Sequence, residues 1–300
     1  MFIPTQVIDY DANGQAAMAY VQYAEQNTVA LSAFHFRKGY ALPDEVGADL
    51  PVALVTFNGA TPLANIPNQA DGVSASVKLN DVVFAKGEVW SGDGALITLG
   101  TSDQVSQYSV TIGANLGSHF QIQGEEIRAT ESSGFLGAYG SGGFSTADGS
   151  HVDLHGVSIR THFGGFGAFA SYRAGVAASN FSNSILNKIN ADISQAAAGL
   201  MWRNARNAVA LAYSQPLHVT GGDMNLKLAT GRTDSGAVTY ANPTVVLNEG
   251  IKQANYEIGY TRLVGQYAKV GLNLIYVKNP ANEPGFDHDL GAMVMIGVRI

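Results

Sequence analysis

The chain has 300 residues, of which 46% are hydrophobic and only 14% are charged, and it contains 35 glycines and no cysteine. The charged fraction is low beside the roughly 25% of an average soluble domain. A net charge of -7 with no Lys/Arg cluster argues against nucleic acid as a partner, and the lack of Cys excludes disulfides and thiolate chemistry.

Near the start of the chain, Asp9, Asp11 and Asn13 have the spacing of a calcium-binding loop. Tyr20 stands where the bidentate glutamate of such a loop belongs. Asn13 is followed by Gly14 and lies between two alternating runs, which is the strongest short signal of a hairpin turn. We therefore favour a hairpin and keep the three oxygen-bearing residues as weak metal candidates.

The first quarter of the chain also bears on export and on domain boundaries. Met1–Pro4 lacks the basic-then-apolar pattern of a signal peptide, so we expect an exported protein to be present as a mature or excised fragment. Residues 40–72 hold four of the nine prolines and little alternation, which indicates a loop or a boundary. We expect one β-rich domain over 1–300, with 1–72 as a candidate separate N-terminal part.

Apolar and small polar residues alternate along most of the chain, as in strands with two unlike faces. Tyr108–Gly113 and Asn207–Tyr213 are clear examples. Further runs lie at 29–36, 94–100, 119–128, 165–174, 224–228, 256–262 and 270–276. The pattern predicts an all-β, antiparallel up-and-down β-barrel of outer-membrane type with roughly 12–16 strands of about 8–11 residues.

One segment departs from this pattern. In Phe181–Ala198, the apolar residues Ile185, Leu186, Ile189 and Ile193 recur at helical spacing behind a Ser/Asn-rich start. A short helix or a structured loop is the expectation there.

Three groups of ionisable residues are candidates for chemistry. His151, Asp153 and His155 would share one side of a strand at a spacing short enough for a metal, although a polar face is the simpler interpretation. We interpret Glu125-Glu126 and Asp287–Asp289 as solvated charges at strand ends or loops. By parity, the lumen-facing candidates of a barrel are Arg203, Glu257 and Lys269.

The last residues of the chain alternate strictly. One face carries Leu290, Ala292, Val294, Ile296, Val298 and Ile300. This resembles the closing strand of bacterial outer-membrane barrels, which usually ends on an aromatic residue, whereas Ile300 stands here. An ordinary edge or core strand is the alternative.

Several segments resemble one known family. Glu131–Gly137 and Gly140–Phe144 are similar to the region that follows the protease domain in alphaproteobacterial subtilisin-like (S8 family) serine proteases. Ser214–Gly222 resembles that family's Ser-Gln-Pro-Leu-Arg-Val segment, with His218 replacing the arginine. Glu257–Tyr260 with Leu263, and Asn279–Asn282, fit its two closing hairpins. Over about 105–300, the resemblance implies an autotransporter-like β-barrel module.

The sequence therefore favours an outer-membrane barrel serving export or surface anchoring, in the bacterial outer membrane or at the cell surface. We expect no catalysis and no cofactor. The expected partners are the lipid bilayer, the outer-membrane assembly machinery and further copies of the chain. Aromatic bands should mark both membrane interfaces. The alternative is a soluble extracellular β-sandwich or a self-assembling structural or binding module, in which the same alternation divides a core from water.

Overall fold

The structure is a computed structural model that describes residues 3–10, 16–25, 29–37, 67–94, 104–136, 138, 140–182, 184–248, 250–265, 268–280 and 287–298. Their regular secondary structure is β-strand, with a short 3-10 turn at Gly142–Phe144. The strands are β1 (Ile3–Tyr10), β2 (Ala16–Glu25), β3 (Val29–Arg37), β4 (Pro67–Lys78), β5 (Val83–Gly94), β6 (Gln104–Leu116), β7 (Phe120–Glu131), β8 (Ser150–Phe163), β9 (Phe166–Asn180), β10 (Leu186–Arg203), β11 (Asn207–Leu226), β12 (Leu228–Arg232), β13 (Val238–Ala241), β14 (Thr244–Val246), β15 (Ala254–Val264), β16 (Ala268–Lys278) and β17 (His288–Val298). No helix among these residues is long and apolar enough to cross a membrane.

Strands that follow one another in sequence are neighbours in space. Within the described ranges, 15 strands form one antiparallel sheet, in the order β1 to β11 and then β15 to β17, with β14 pairing β11. Strands β12 and β13 form a separate two-stranded sheet. The described strands within 1–72 belong to the large sheet, because β3 pairs β4 from Val29 opposite Val77 to Arg37 opposite Gln69. The strand count lies within the expected range.

The two ends of the sheet carry connections of different length. At one end, the turn end, two to four residues join the strands: 26–28, 79–82, 117–119, 164–165, 204–206 and 265–267. At the other, the loop end, the connections run from five residues, as at 11–15, to the long segments 38–66, 132–149 and 227–253. Because the strands alternate in direction, β1 starts and β17 finishes at the turn end. In outer-membrane barrels the short turns face the periplasm.

The two faces of the sheet differ in polarity in the opposite sense to a soluble protein. Large apolar side chains are exposed on the outer face of strands from β3 to β17, including Leu31, Val110, Ile159, Leu211, Leu272 and Val294. The inner face buries charged and amide side chains such as Glu88, Gln107, Arg173, Glu257 and Asn273. An apolar surface of this extent facing water would be exceptional, whereas it is what a barrel in lipid requires.

The helix expected within 181–198 is wrong. Leu186–Arg203 form β10, which pairs with β9 and β11 along its length. Ile189 and Ile193, with Ala191 between them, lie on the inner face at the period of a strand. A spacing of four residues suits both one helical turn and two repeats of a strand, so the apolar positions did not discriminate.

Two other expected strands end differently from the prediction. Met224–Leu228 is not a separate strand, because β11 continues to Leu226 and β12 begins at Leu228. Of the run 94–100, only Gly94, the last residue of β5, lies within the described residues. Strands β10 and β11 span 18 and 20 residues, which is longer than expected. The pairing of β10 with β11 is interrupted by register shifts.

The hairpin favoured near the start of the chain has its two strands in place. β1 and β2 pair antiparallel, from Ile3 opposite Ala24 to Tyr10 opposite Ala16. Asp9 belongs to β1, whereas Asp11 and Asn13 lie outside the described residues. The antiparallel pair on either side of 11–15 is the arrangement that a hairpin requires.

Candidate functional site

The inner face near the loop end is closed by an apolar cluster. We call it the inner cluster; it comprises Phe34, Ala70, Trp90, Val105, Ile127, Ala129, Val152, Leu154, Ala177, Ala191 and Ile193. Its members come from eight strands, β3 to β10. Phe135 and Leu136 of the 132–149 connection and Leu247 of the 227–253 connection pack against it. Two connections at the loop end therefore fold inward instead of extending away from the sheet.

Glycine makes room for the largest side chain of the inner cluster. A Cβ atom at Gly72 would lie 2.4 Å from the ring of Phe34 and 2.7 Å from Cβ of Trp90. Phe34, Gly72 and Trp90 are partners in one register row across β3, β4 and β5. The two aromatic side chains thus share the space that a larger residue on β4 would occupy.

Hydrogen bonds fix the 132–149 connection in its folded position. Gly134 N donates to Thr146 O at 2.9 Å, and Gly140 N donates to Thr146 Oγ1 at 2.9 Å. Outside the connection, Ile185 N donates to Gly143 O at 2.5 Å, and Ser182 N donates to Asp148 Oδ2 at 2.6 Å. The connection is therefore bonded both to itself and to the neighbouring β9–β10 loop.

Below the inner cluster, towards the turn end, the inner face carries charges and an amide. We call Lys86, Glu88, Glu125, Arg173 and Gln195 the charged belt. Arg173 Nε donates to Glu125 Oε1 at 2.6 Å, with 1% of the Arg173 side chain and 7% of the Glu125 side chain exposed. Arg173 Nη1 lies 3.5 Å from Gln195 Oε1, and Lys86 Nζ lies 3.1 Å from Glu88 Oε2. Buried charges in these pairs compensate one another in an interior that water hardly reaches.

The lumen-facing candidates lie at different depths. Glu257 is 3% exposed on β15 and accepts a hydrogen bond from Asn273 Nδ2 at 2.9 Å. Arg203 lines a cavity at the turn end. Lys269 belongs to β16, but its side chain lies outside the described residues. Glu257 and Arg203 do not contact one another in the hydrogen bonds and ion pairs of the described residues.

His151, Asp153 and His155 lie at every second position of β8 and share its outer face, as their spacing predicts. Asp153 Oδ1 lies 3.0 Å from Arg128 Nε, and Arg128 Nη2 lies 3.0 Å from Glu126 Oε1. Among the residues that the structure describes, no three or more His, Asp or Glu are arranged to hold a metal ion. A metal site here stays a prediction, and the observed partner of Asp153 is a guanidinium group.

The outer face changes from apolar to polar towards the loop end. From the turn end to the loop end, the outward residues of β6 include Ile112, Val110, Tyr108 and Ser106. Ser106 Oγ lies 2.8 Å from Thr130 Oγ1. On β7 the change from apolar to polar lies nearer the turn end, at Glu126, which is the register partner of the apolar Val110. Such a shift between neighbouring strands follows if the strands tilt relative to a flat apolar layer.

Aromatic side chains lie close to both limits of the apolar outer face. Towards the loop end, Tyr213, Tyr256 and Tyr276 are neighbours across β11, β15 and β16, with ring centroids 5.3 and 6.0 Å apart. Towards the turn end, the exposed aromatic residues are Phe163, Phe166, Trp202 and Tyr260. Aromatic bands at these two levels are typical of proteins that contact both interfaces of a bilayer.

The charged belt was missed at the level of sequence. Glu125 was expected to be a solvated charge, and that expectation is wrong, because Glu125 is buried against Arg173. Glu126, its neighbour, does lie on the exposed outer face. Strand parity was the available signal, since Gln121, Gln123 and Glu125 alternate with Ile122 and Gly124, but the adjacent glycine suggested a strand end.

The sequence matches no family model and no curated protein. Among solved structures, the chain is similar to OprB of Pseudomonas putida at high pH, with 12% identity over 93% of this chain and 72% of that chain and a TM-score of 0.52. It is also similar to OmpT, an outer membrane protein of Vibrio cholerae (11% identity, 92% of this chain, 84% of that chain, TM-score 0.49). The chain is similar as well to the FrpB iron transporter from Neisseria meningitidis, with 9% identity over 100% of this chain and 54% of that chain and a TM-score of 0.42.

At these identities the likeness concerns the fold alone, and we base the fold assignment on OprB, whose TM-score is above 0.5. The likeness to OprB agrees with the inverted polarity of the sheet and with the expected location in the bacterial outer membrane or at the cell surface. The strands that the structure describes form one large sheet and one two-stranded sheet, which does not match the two packed sheets of a soluble sandwich. The chain is an all-β protein with the antiparallel up-and-down β-barrel fold of outer-membrane proteins.

Proposed function

We propose that the chain is an outer-membrane β-barrel module that anchors or exports an attached domain, as autotransporter barrels do, and has no catalysis of its own. The observation that carries the proposal is the buried inner face. Trp90, Val105, Leu154 and Ile193 of the inner cluster are almost completely removed from water. An open diffusion pore would leave such inward side chains hydrated.

The way the loop-end connections are folded also favours an anchor over a pore. Phe135 and Leu136 insert against the inner cluster, and the hydrogen bonds around Thr146 and Gly143 hold them there. The segment that contains them is also one of the segments that resemble the modules following subtilisin-like proteases. A barrel that is closed at rest keeps the outer membrane sealed, and a domain attached at the turn end must displace the inward connections to reach the surface.

The proposal requires particular partners. The exposed apolar outer face needs a lipid bilayer, and insertion of such a sheet needs the outer-membrane assembly machinery. The closing strand β17 offers that machinery an alternating edge, with Leu290 and Val294 exposed on one side. Self-association stays a prediction, and the particle mass in detergent measures it.

The anchoring role is tested by adding a protease-sensitive passenger domain ahead of residue 1. Because β1 starts at the turn end, a passenger on the outside must have crossed the membrane. External protease added to intact cells should remove the passenger but leave the barrel. Cleavage only after the cells are permeabilised would show that the passenger stays inside, and would refute export while leaving the barrel fold untouched. Conductance of the purified chain in planar bilayers is the second readout, and a large, permanently open conductance would refute the closed anchor.

A further inference from the structure

A cavity of about 670 Å³ opens at the turn end, between the β6–β7, β8–β9 and β10–β11 connections. Arg160 of β8 and Arg203 of β10 line it, together with the amide side chains Asn115 and Gln121. Gln121 Nε2 donates to Asn115 Oδ1 at 3.1 Å, which holds the two amides at the cavity wall. Neither the closed anchor nor the inner cluster needs this cavity.

The charged side chains among the described residues that line the cavity are of one sign. No Asp or Glu is among the described residues that line it. In the sequence, no Asp or Glu lies within five residues of the turns 117–119, 164–165 and 204–206, whereas Arg160, Arg203 and Arg206 all do. In a chain whose net charge is -7, these three turns are locally basic, whereas the 79–82 turn beside them carries Asp81.

Acidic groups are concentrated at the opposite end. Asp71, Asp153, Asp192 and Asp223 all lie in the loop-end halves of their strands, where their registers place them near the long connections. These four carboxylates therefore lie at the end of the sheet opposite to Arg160 and Arg203. An anion that approaches these three turns meets cationic side chains.

We propose that this cavity binds a phosphate group through the guanidinium groups of Arg160 and Arg203. Guanidinium groups present planar, paired N–H donors that match phosphate oxygens. The amides of Asn115 and Gln121 provide additional polar contacts at the wall. The proposal concerns a binding site and is independent of whether the barrel exports a passenger.

Two sources can supply a phosphate group at this position. The cavity is also lined by Phe120 and Phe166, and Phe166 is 66% exposed at the rim, so that a phospholipid could place its headgroup in the cavity and its chains along the aromatic outer face. A soluble phosphate compound would use the arginines alone. The two sources differ in their dependence on acyl chains, which a titration can separate.

Trp202 is a built-in reporter for the site. Its Nε1 lies 3.7 Å from the place where a Cβ atom on Gly165 would stand, and Gly165 lines the cavity. The sequence has two tryptophans, and the other, Trp90, is buried in the inner cluster. A ligand-induced fluorescence change that disappears in Trp202→Phe therefore originates at the turn end.

The test titrates the full chain, folded in a non-ionic detergent, with short-chain phosphatidylglycerol, with inorganic phosphate and with a chain-matched diacylglycerol that lacks phosphate. The double variant Arg160→Gln/Arg203→Gln should bind the phosphate-bearing ligand about tenfold or more weakly. Arg232→Gln removes one charge from β12, far from the cavity, and should bind like the wild type. Retention of the heat-dependent shift in gel mobility shows that each variant is folded.

Saturation by phosphatidylglycerol but not by inorganic phosphate supports a lipid headgroup, and saturation by both in the same range supports a soluble phosphate ligand. Diacylglycerol that saturates as well as phosphatidylglycerol would overturn the proposal, because the phosphate would then contribute nothing. Equal affinity of the double variant and the wild type, or no response of Trp202 to either phosphate-bearing ligand, would overturn it as well.

Discussion

Arg173 and Glu125 form their ion pair across a strand that lies between them. Glu125 on β7 and Arg173 on β9 are both register partners of Gly156 on β8. A Cβ atom at position 156 would lie 2.6 Å from Glu125 Oε1 and 2.9 Å from Arg173 Cγ. The 2.6 Å contact between Arg173 Nε and Glu125 Oε1 therefore depends on the missing side chain of Gly156.

Replacement of this glycine should displace the ion pair. We expect Gly156→Ala to destabilise the barrel by on the order of 1–3 kcal/mol, because the added methyl group forces apart two buried charges. The measurement is the temperature at which the folded gel mobility is lost. Gly124→Ala is the matched control, since a Cβ atom there meets nothing nearer than Gly156 O at 3.9 Å. Equal loss of stability in both variants would contradict the role assigned to Gly156.

The effects of removing Arg173 and Glu125 on the free energy of unfolding should be strongly non-additive. Arg173→Met leaves the carboxylate of Glu125 buried without its partner and should cost about 3–5 kcal/mol. The double variant Glu125→Gln/Arg173→Met removes both charges, so it should recover most of that loss. Urea unfolding of the four proteins of the cycle in lipid vesicles gives the coupling free energy, and simple additivity would mean that the two charges do not stabilise each other.

Fold class followed from the sequence because the alternation of the outer face is nearly uninterrupted. In β6 from Tyr108 to Leu116, and in β16 from Ala268 to Tyr276, every second residue is apolar and faces outward, so a period of two was visible without knowledge of the partners. β10 was misjudged because Ile189 and Ile193 suit a helix as well as a strand. What decides between them is pairing with β9 and β11, which involves residues distant in the chain.

The interior was harder to anticipate than the fold. Glu257 was singled out by parity and is buried, but its partner Asn273 lies on the next strand and depends on a register that a sequence does not display. The belt pair Glu125 and Arg173 is separated by 48 residues and by an intervening strand. The inward fold of the 132–149 connection likewise depends on contacts with Ile185 and Ser182.

The proposed closure of the barrel can be tested at Phe135, which packs against the inner cluster. We expect Phe135→Asp to weaken the packing of the 132–149 connection on the inner cluster, because a carboxylate is costly to bury among apolar groups. Channel events in planar bilayers should then become more frequent than in the wild type. Phe144→Asp is the control, since Phe144 belongs to the same connection but is 59% exposed. Conductance unchanged by Phe135→Asp would show that this connection does not close the barrel.

A charge placed on the outer face distinguishes a lipid-facing surface from a water-facing one. Leu274 is exposed midway along β16, between Leu272 and Tyr276. In a bilayer, Leu274→Arg should cost about 2–4 kcal/mol, because the guanidinium group enters the hydrocarbon layer. Leu228→Arg introduces the same charge on the exposed strand β12, outside the large sheet, and should be nearly neutral. The free energies of unfolding in lipid vesicles give the comparison. If both substitutions are tolerated equally, Leu274 faces water, and the apolar outer face needs another cover, such as a second copy of the chain.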